Sequence, residues 1–312
     1  MADGSLAMPL TGAAAERRPG AMRRFARRRS TIAFLMALPL LLVMFGLVIY
    51  PAGYAIYLST LNRRMTANIG LGNYEILLET DTFHSVVFQS CLFAITAVLA
   101  KALIGFWLAH MLHHLPVKGQ RKWRGMLLVP WVIPPALGTL GWWWMFDPSY
   151  SSINWLLAAF SIPAVPWLGE PGWARTSVII VNVWYGAPFF MIMYLAALKS
   201  VPEQLYEAAA IDGATGWQRL RHVTLPMMRN IISITVLFSL IVTFANYDIV
   251  RVLTNGGPRG LTHLFASYAF EVGILSGSVP RGAAVSLFML PLLATFAYFI
   301  LRGVNRRNRE MA

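Results

Sequence analysis

Charge is what this chain has least of. Only 12% of its 312 residues are Asp, Glu, Lys or Arg, about half the share of a soluble globular domain. Acids are the scarcer sign, 13 against 26 bases. Cysteine occurs once, at Cys91 in an apolar stretch, which excludes an intrachain disulfide and leaves thiol redox chemistry without a second sulfur. No Gly-x-x-x-x-Gly-Lys-Ser/Thr segment is present, so this chain has no phosphate-cradling loop for ATP. The apolar–polar alternation of a barrel strand is also missing, and no Ser/His/Asp or paired-carboxylate constellation falls in a plausible membrane pocket. A net charge of +13 would suit nucleic acid in a soluble protein. In a chain that is 57% hydrophobic with mean hydropathy +0.57, it is first a statement about membrane orientation, and no nucleic-acid partner is expected.

Apolar runs fill most of the chain. About 20 such residues cross a bilayer as a helix, and six segments are expected to do so: 32–58, 85–112, 126–146, 176–198, 230–250 and 282–302. Lipid offers no partner to backbone polar groups, so each span is helical. The uncharged stretch Thr31–Leu61 is far too long for a signal-peptide core. It reads as an uncleaved first span behind a basic tail, residues 1–30. With both termini cytoplasmic, the inner segments hold 19 of the 26 Lys and Arg, and the outer ones hold six. That asymmetry sets the orientation, although Arg63-Arg64 beyond the first span run against it. Trp142-Trp143-Trp144 suit the outer headgroup layer, and Pro130, Pro134 and Pro135 interrupt the third span. The expected organisation is therefore one six-helix domain, 31–303, with a short inner tail, 304–312.

The longest inner loop is patterned. Val201-Pro202-Glu203 starts a helix, the residues to Asp212 favour it, and Gly213 supplies a left-handed turn. A second short helix is expected from about Thr215 to His222, stopped by Leu225-Pro226. The result is a projecting hairpin, with Ala208, Ala209 and Ala210 giving a small-residue face and Glu207 a charge for a partner's basic group.

This loop resembles the EAA loop of binding-protein-dependent ABC-importer permeases, in its carbohydrate branch. The matching residues are Glu207-Ala208-Ala209, Asp212-Gly213-Ala214 and Val223-x-Leu225-Pro226; Leu220, Val223 and Asn230 are mild departures. Gly70-Leu-Gly-Asn-Tyr74, Val129-Pro-Trp-x-x-Pro134, Phe244-Ala-Asn-Tyr-Asp248 and Asn255-Gly-Gly-Pro258 resemble the same branch. The resemblance implies an all-α, type I importer permease in the bacterial cytoplasmic membrane, a transport subunit and not an enzyme. Its implied partners are a second homologous permease, two ATPase subunits carrying ATP and Mg, an extracytoplasmic binding protein and membrane lipid. Glu207, Ala208, Ala209, Asp212, Gly213, Leu225 and Pro226 would couple to the ATPase. The cargo implied is a sugar or oligosaccharide; glycerol phosphate or a polyol is the nearer alternative, and a membrane enzyme acting on lipid-linked sugars the more distant one.

For cargo contacts, Ser239, Thr243 and Asn246 are spaced to share one face of the fifth span, as are Asn182, Tyr185, Gly186 and Phe189 on the fourth. Amides and hydroxyls read sugar hydroxyls, and aromatic faces stack on the ring. Similarity to the maltose-type permeases places those four, with Ser239, Val242, Thr243 and Asn246, on substrate positions. Val242 and Thr243 depart from an aromatic and an amide there. Lys101 and Asp248 are the charges in or at the edge of spans. The first is read as snorkelling or facing the bundle, and the second as pairing with Arg251. His110, His113 and His114 are read as interfacial, with no metal.

Overall fold

A computed structural model describes residues 29–309, with side chains from 33 to 303. The expected tail ahead of residue 29 lies outside the described residues. The chain divides into two units, Met1–Tyr54 and Ala55–Ala312. In the first, α1 (Arg29–Met44) passes through a wider π-helical turn, Phe45–Ile49, into α2 (Tyr50–Ser59), whose last five residues belong to the second. The second holds α3 (Gly72–Leu78), α4 (Asp81–His113), α5 (Val117–Leu127), α6 (Val129–Val132), α7 (Pro135–Met145), α8 (Ser152–Ala159) and α9 (Pro171–Ser200). Then come α10 (Glu203–Ile211), α11 (Gly216–Arg219), α12 (Leu225–Phe244), α13 (Asp248–Leu253), α14 (Phe265–Phe270) and α15 (Val279–Arg309).

Among the described residues, five helices are long and apolar enough to cross a membrane: Ala33–Ser59, Asp81–His113, Pro171–Ser200, Gly216–Phe244 and Val279–Gly303. The expected third span, 126–146, is instead divided among α5, α6 and α7. Ile133, just before Pro134, is held extended (φ −68°, ψ 134°), and Pro135 opens α7. A residue preceding proline is pushed out of the helical region, so consecutive prolines break the helix rather than bend it.

The expected fifth span, 230–250, is shifted toward the N-terminus. Leu225-Pro226 does not stop the hairpin's second helix, which runs on into α12. A π-helical turn, Leu220–Thr224, joins the two, with the Leu225 N–H donating to the Leu220 carbonyl. The wider turn relieves the clash between a proline ring and the carbonyl four residues back. At the other end Asn246 Oδ1 accepts from the Ile249 N–H at 3.3 Å, which starts α13. Asp248 thus opens a short helix instead of closing the span, and Asn246 lies beyond the helix it was expected to share with Ser239.

Packing centres on α4 and α9, the most extensive helix pair, with α12 against both. Lipid tails are as apolar as leucine, so close packing must hold membrane helices together. On α4 the residues Ala94, Ala97, Lys101, Gly105 and Ala109 recur every three or four positions and are all buried. This stripe of small residues admits α9, and Lys101 is the one long side chain within it. The Gly70–Tyr74 stretch closes the second unit's first turn. Asn73 Nδ2 donates to the carbonyls of Ser59 (2.8 Å) and Leu61 (2.7 Å), which have no further helix to bond to.

A Cβ at Gly105 would stand 2.3 Å from the Phe190 Cβ, whereas one at Gly125 would meet nothing within 4 Å. Gly105→Ala is therefore expected to cost about 1–3 kcal/mol by forcing α4 from α9. Gly125→Ala, in a helix interior, should gain up to about 1 kcal/mol. Thermal unfolding of the purified chain in detergent checks the opposite signs.

Candidate functional site

The loop between α9 and α12 folds as a hairpin, and local sequence explains each corner. Pro202 precedes α10 in extended conformation (φ −60°, ψ 133°), which releases the chain from α9. Gly213 has φ +75°, a conformation costly for any residue with a Cβ. Around it the Ala214 N–H donates to the Ala209 carbonyl (2.9 Å) and the Gly213 N–H to that of Ala210 (3.1 Å), the paired bonds of a Schellman cap. Thr215 and Gln218 then form a capping box at the start of α11.

One side of the hairpin is tied down and the other is bare. Tyr206 and Thr224 share a hydrogen bond of 3.0 Å that fastens α10 to the root of α12. Glu207, Ala208 and Asp212 are exposed, as are Leu225 and Pro226; Ala209 is half-buried. Ile211 is 87% exposed and Trp217 68%, a cost with no return for an isolated chain. Neither was among the expected coupling residues; the signal was an apolar side chain at each end of the Asp212-Gly213 turn. Under the hairpin lies a cavity of about 850 Å³, lined by His110, His113, His114, Lys199, Trp217 and Arg219 among others. Lys199 donates to Gln120 Oε1 at 2.7 Å, so the end of α9 is also braced to α5.

The second group of candidates lies within the bundle, and its centre is a residue the sequence reading set aside. Lys101 is 3% exposed. Its Nζ donates to Asn182 Oδ1 at 2.9 Å and to Thr243 Oγ1 at 2.8 Å, so α4, α9 and α12 meet at one amino group. A Cβ at Gly186 would fall 2.4 Å from the Lys101 Cδ, so this glycine makes room for the lysine stem. Asn182, Gly186 and Thr243 therefore come together as expected, around a lysine rather than around open space. Of the two readings of Lys101, it faces the bundle and does not snorkel.

The remaining candidates divide. Phe189 stacks on Trp131 (centroids 5.9 Å) and tilts against Phe238 (5.3 Å). Trp131 and Phe238 are exposed and Val242 is exposed beside them, so this is the bare apolar side of the site. Ser239 is buried, Tyr185 and Asn246 are half-buried, and Asn246 is committed to the turn before α13. Trp131 and Phe238 were missed because each sits on another helix or face from the polar residues that drew attention. Asp248 does not pair with Arg251, which donates to Asn255 Oδ1 and lies over the Phe270 ring at 5.3 Å. Among the described residues no group of three potential metal ligands occurs.

Helices broken at prolines, a capped hairpin with bare apolar tips and a polar knot inside an apolar bundle define a multi-pass membrane transport subunit. Residues 101–310 match the family described as binding-protein-dependent transport system inner membrane component, and the chain belongs to that family. It is thus an inner-membrane permease of an ABC importer and not an enzyme. It is 32% identical over 288 residues to the trehalose/maltose transport system permease of Thermococcus litoralis, covering 91% of this chain and 96% of that one. It is 28% identical to the sulfoquinovosyl glycerol permease of Agrobacterium fabrum, over 86% and 89% of the two chains. Its fold is similar to a chain in the crystal structure of a bacterial importer of the acidic polysaccharide alginate. There the TM-score is 0.78 at 22% identity, over 92% of this chain and 99% of that one.

Lys101→Met would leave Asn182 Oδ1 and Thr243 Oγ1 buried without their donor, a loss of about 1–3 kcal/mol. Adding Asn182→Leu and Thr243→Val should recover part of it, because an apolar trio leaves no polar atom unmet. SDS-induced unfolding of the three proteins, wild type, single and triple variant, measures both steps.

Proposed function

We propose that this chain is one of two homologous permeases in an importer that moves a sugar or oligosaccharide by alternating access. A binding protein on the extracytoplasmic side would deliver cargo to the segments 59–84, 147–175 and 251–281. Two separate ATPase subunits, holding ATP and Mg, would grip the 203–226 hairpin from the cytoplasm. Glu207 would pair with a basic group of the ATPase, Ile211 and Trp217 would fill apolar sockets on it, and Gly213 would hold the turn. The observation that carries this reading is mechanical. The hairpin is bonded through Tyr206–Thr224 to a helix that runs from Gly216 to Phe244 and ends beside Thr243, at the Lys101 knot. That helix is roughly 40 Å long at 1.5 Å per residue. A push on the hairpin thus reaches the middle of the bundle without crossing a flexible joint.

The cargo reading is supported by the relatives, whose names give trehalose, maltose and sulfoquinovosyl glycerol. The site departs from a purely polar one. Asn182 and Thr243 are occupied by Lys101, so hydroxyl reading on this chain falls to Tyr185 and to the Nδ2 of Asn246, whose Oδ1 is held by the turn. Phe189, Phe238 and Trp131 would give the sugar ring its stacking face, as exposed aromatics do for sugars and other flat apolar faces. Lys101 acts through the residues it holds and is a positioning residue.

Disrupting the grip with Glu207→Ala and Gly213→Pro should weaken retention of the ATPase subunits roughly 30-fold, the effect of losing one partner of an interfacial charge pair. Binding-protein-stimulated ATP hydrolysis should fall with it. Affinity purification of the tagged chain from mild detergent, with hydrolysis measured on the eluate, tests this. Unchanged retention and hydrolysis would remove the hairpin from the coupling path.

A further inference from the structure

Arg63-Arg64 stand on the side of the membrane where Lys and Arg are scarce, and coupling to an ATPase gives them no task. Arg63 borders a cavity of about 210 Å³ that also takes in Leu77, Thr80, Tyr268, Ser278 and Arg281. The cavity lies where α4 and α15 begin, at the opposite end of those helices from the hairpin. Arg63 Nη2 donates to the Ser276 carbonyl at 2.7 Å, which fixes the guanidinium at the rim and leaves its other N–H groups free.

Two donors on lining residues have nothing to bond. Ser278 Oγ and Arg281 Nε are both buried without a hydrogen-bond partner, and Ser278 is 3% exposed. Native proteins rarely leave such groups unmet, and each calls for a reason. Burial pushes the Tyr268 hydroxyl above its ordinary pKa, while the Arg281 charge beside it pulls the other way. The phenol is therefore held as a donor next to a cation. No carboxylate lines the cavity.

Two arginines, a serine whose hydroxyl is unmet and a tyrosine thus line one small space from separate elements. A carboxylate presents two oxygens in a plane. A tetrahedral oxyanion presents its oxygens in several directions, which suits donors arriving from several sides. We propose that this cavity binds a phosphate group, supplied either by a phospholipid headgroup or by free phosphate. The rim favours the headgroup: Ile76 lines the cavity and is exposed, and the exposed Ile274 and Leu275 fall in sequence between the lining residues Val272 and Ser276. Bound there, the anion would join the segment after α2 to the 271–281 stretch through charge rather than packing.

The test uses the complete transporter in a phosphate-free, sugar-free detergent, with thermal unfolding followed by tryptophan fluorescence. Dioleoylphosphatidylglycerol, dioleoylglycerol and sodium phosphate at constant ionic strength are titrated separately. The melting temperature should rise with phosphatidylglycerol, with phosphate or with both, and not with dioleoylglycerol. A response to the lipid alone assigns the headgroup, and a response to phosphate assigns the free anion. Arg281→Gln and Ser278→Ala should each raise the half-saturating concentration about tenfold, the loss of one charge-assisted or hydroxyl hydrogen bond. Ser278→Ala removes a hydroxyl that has no partner, so without phosphate it should melt no lower than the wild type. No response to either phosphate source would overturn the proposal, as would half-saturation unchanged in both variants.

Discussion

A lysine amino group inside a membrane bundle has very few ways to be satisfied, and the arrangement of this protein follows from the one it uses. Placing such a side chain at the bilayer centre costs on the order of 2.5–3.5 kcal/mol on insertion scales. Lys101 offsets part of this with bonds to Asn182 and Thr243, at 2.9 and 2.8 Å. Those bonds exist only if α9 comes close enough to α4, which the alanines and Gly105 of the α4 stripe allow. They also require α12 to end near the same level, which the turn at Asn246 ensures. Three helices that lipid alone would not distinguish are thereby given one register.

The same point is where mechanical input would arrive. The capped hairpin cannot absorb a push by unfolding at its corners, because Gly213, the Schellman bonds and the Thr215–Gln218 box over-determine its shape. Its root continues through a π-helical turn into α12, so Pro226 does not act as a hinge between loop and span. In the proposed coupling, movement of the hairpin would become movement of α12 as a body, and with it displacement of Thr243 relative to Lys101 and Asn182. The bare aromatic side formed by Trp131, Phe189 and Phe238 shares α9 and α12 with that knot, so in the proposed importer cargo contact and ATPase contact would act on the same helices.

Much of this was legible in the sequence, and physical reasons separate what was from what was not. Spans can be read because lipid forces every backbone bond into the helix itself. The hairpin could be read because Pro202 and Gly213 carry fixed backbone preferences. The continuity across Leu225-Pro226 could not, since a π-helical turn has no residue signature and reverses the usual meaning of proline. The early end at Phe244 depended on a side-chain bond from Asn246, and hydropathy does not register it. Lys101 could be read as facing the bundle, but its partners could not be named, because they lie 81 and 142 residues away. Its place in the Ala94–Ala97–Gly105–Ala109 stripe was nonetheless visible as spacing, and burial on that stripe was the available clue. Asn182, Gly186 and Thr243 do meet in the fold, through a lysine that was not placed among them.

The account rests on α11, the π-helical turn and α12 moving as one rod. Spin labels at Gln218 and Ala245, near its two ends, and a second pair at Gln218 and Met111 on α4 would measure this in the complete transporter. Cys91 would be replaced by serine. Electron–electron resonance distances would be compared with and without a non-hydrolysable ATP analogue. The rod should keep its Gln218–Ala245 distance, roughly 40 Å, while the Gln218–Met111 distance changes. A Gln218–Ala245 distance that shortens or splits on nucleotide binding would show the helix bending at Leu220–Thr224, and would contradict a rigid link between hairpin and Lys101.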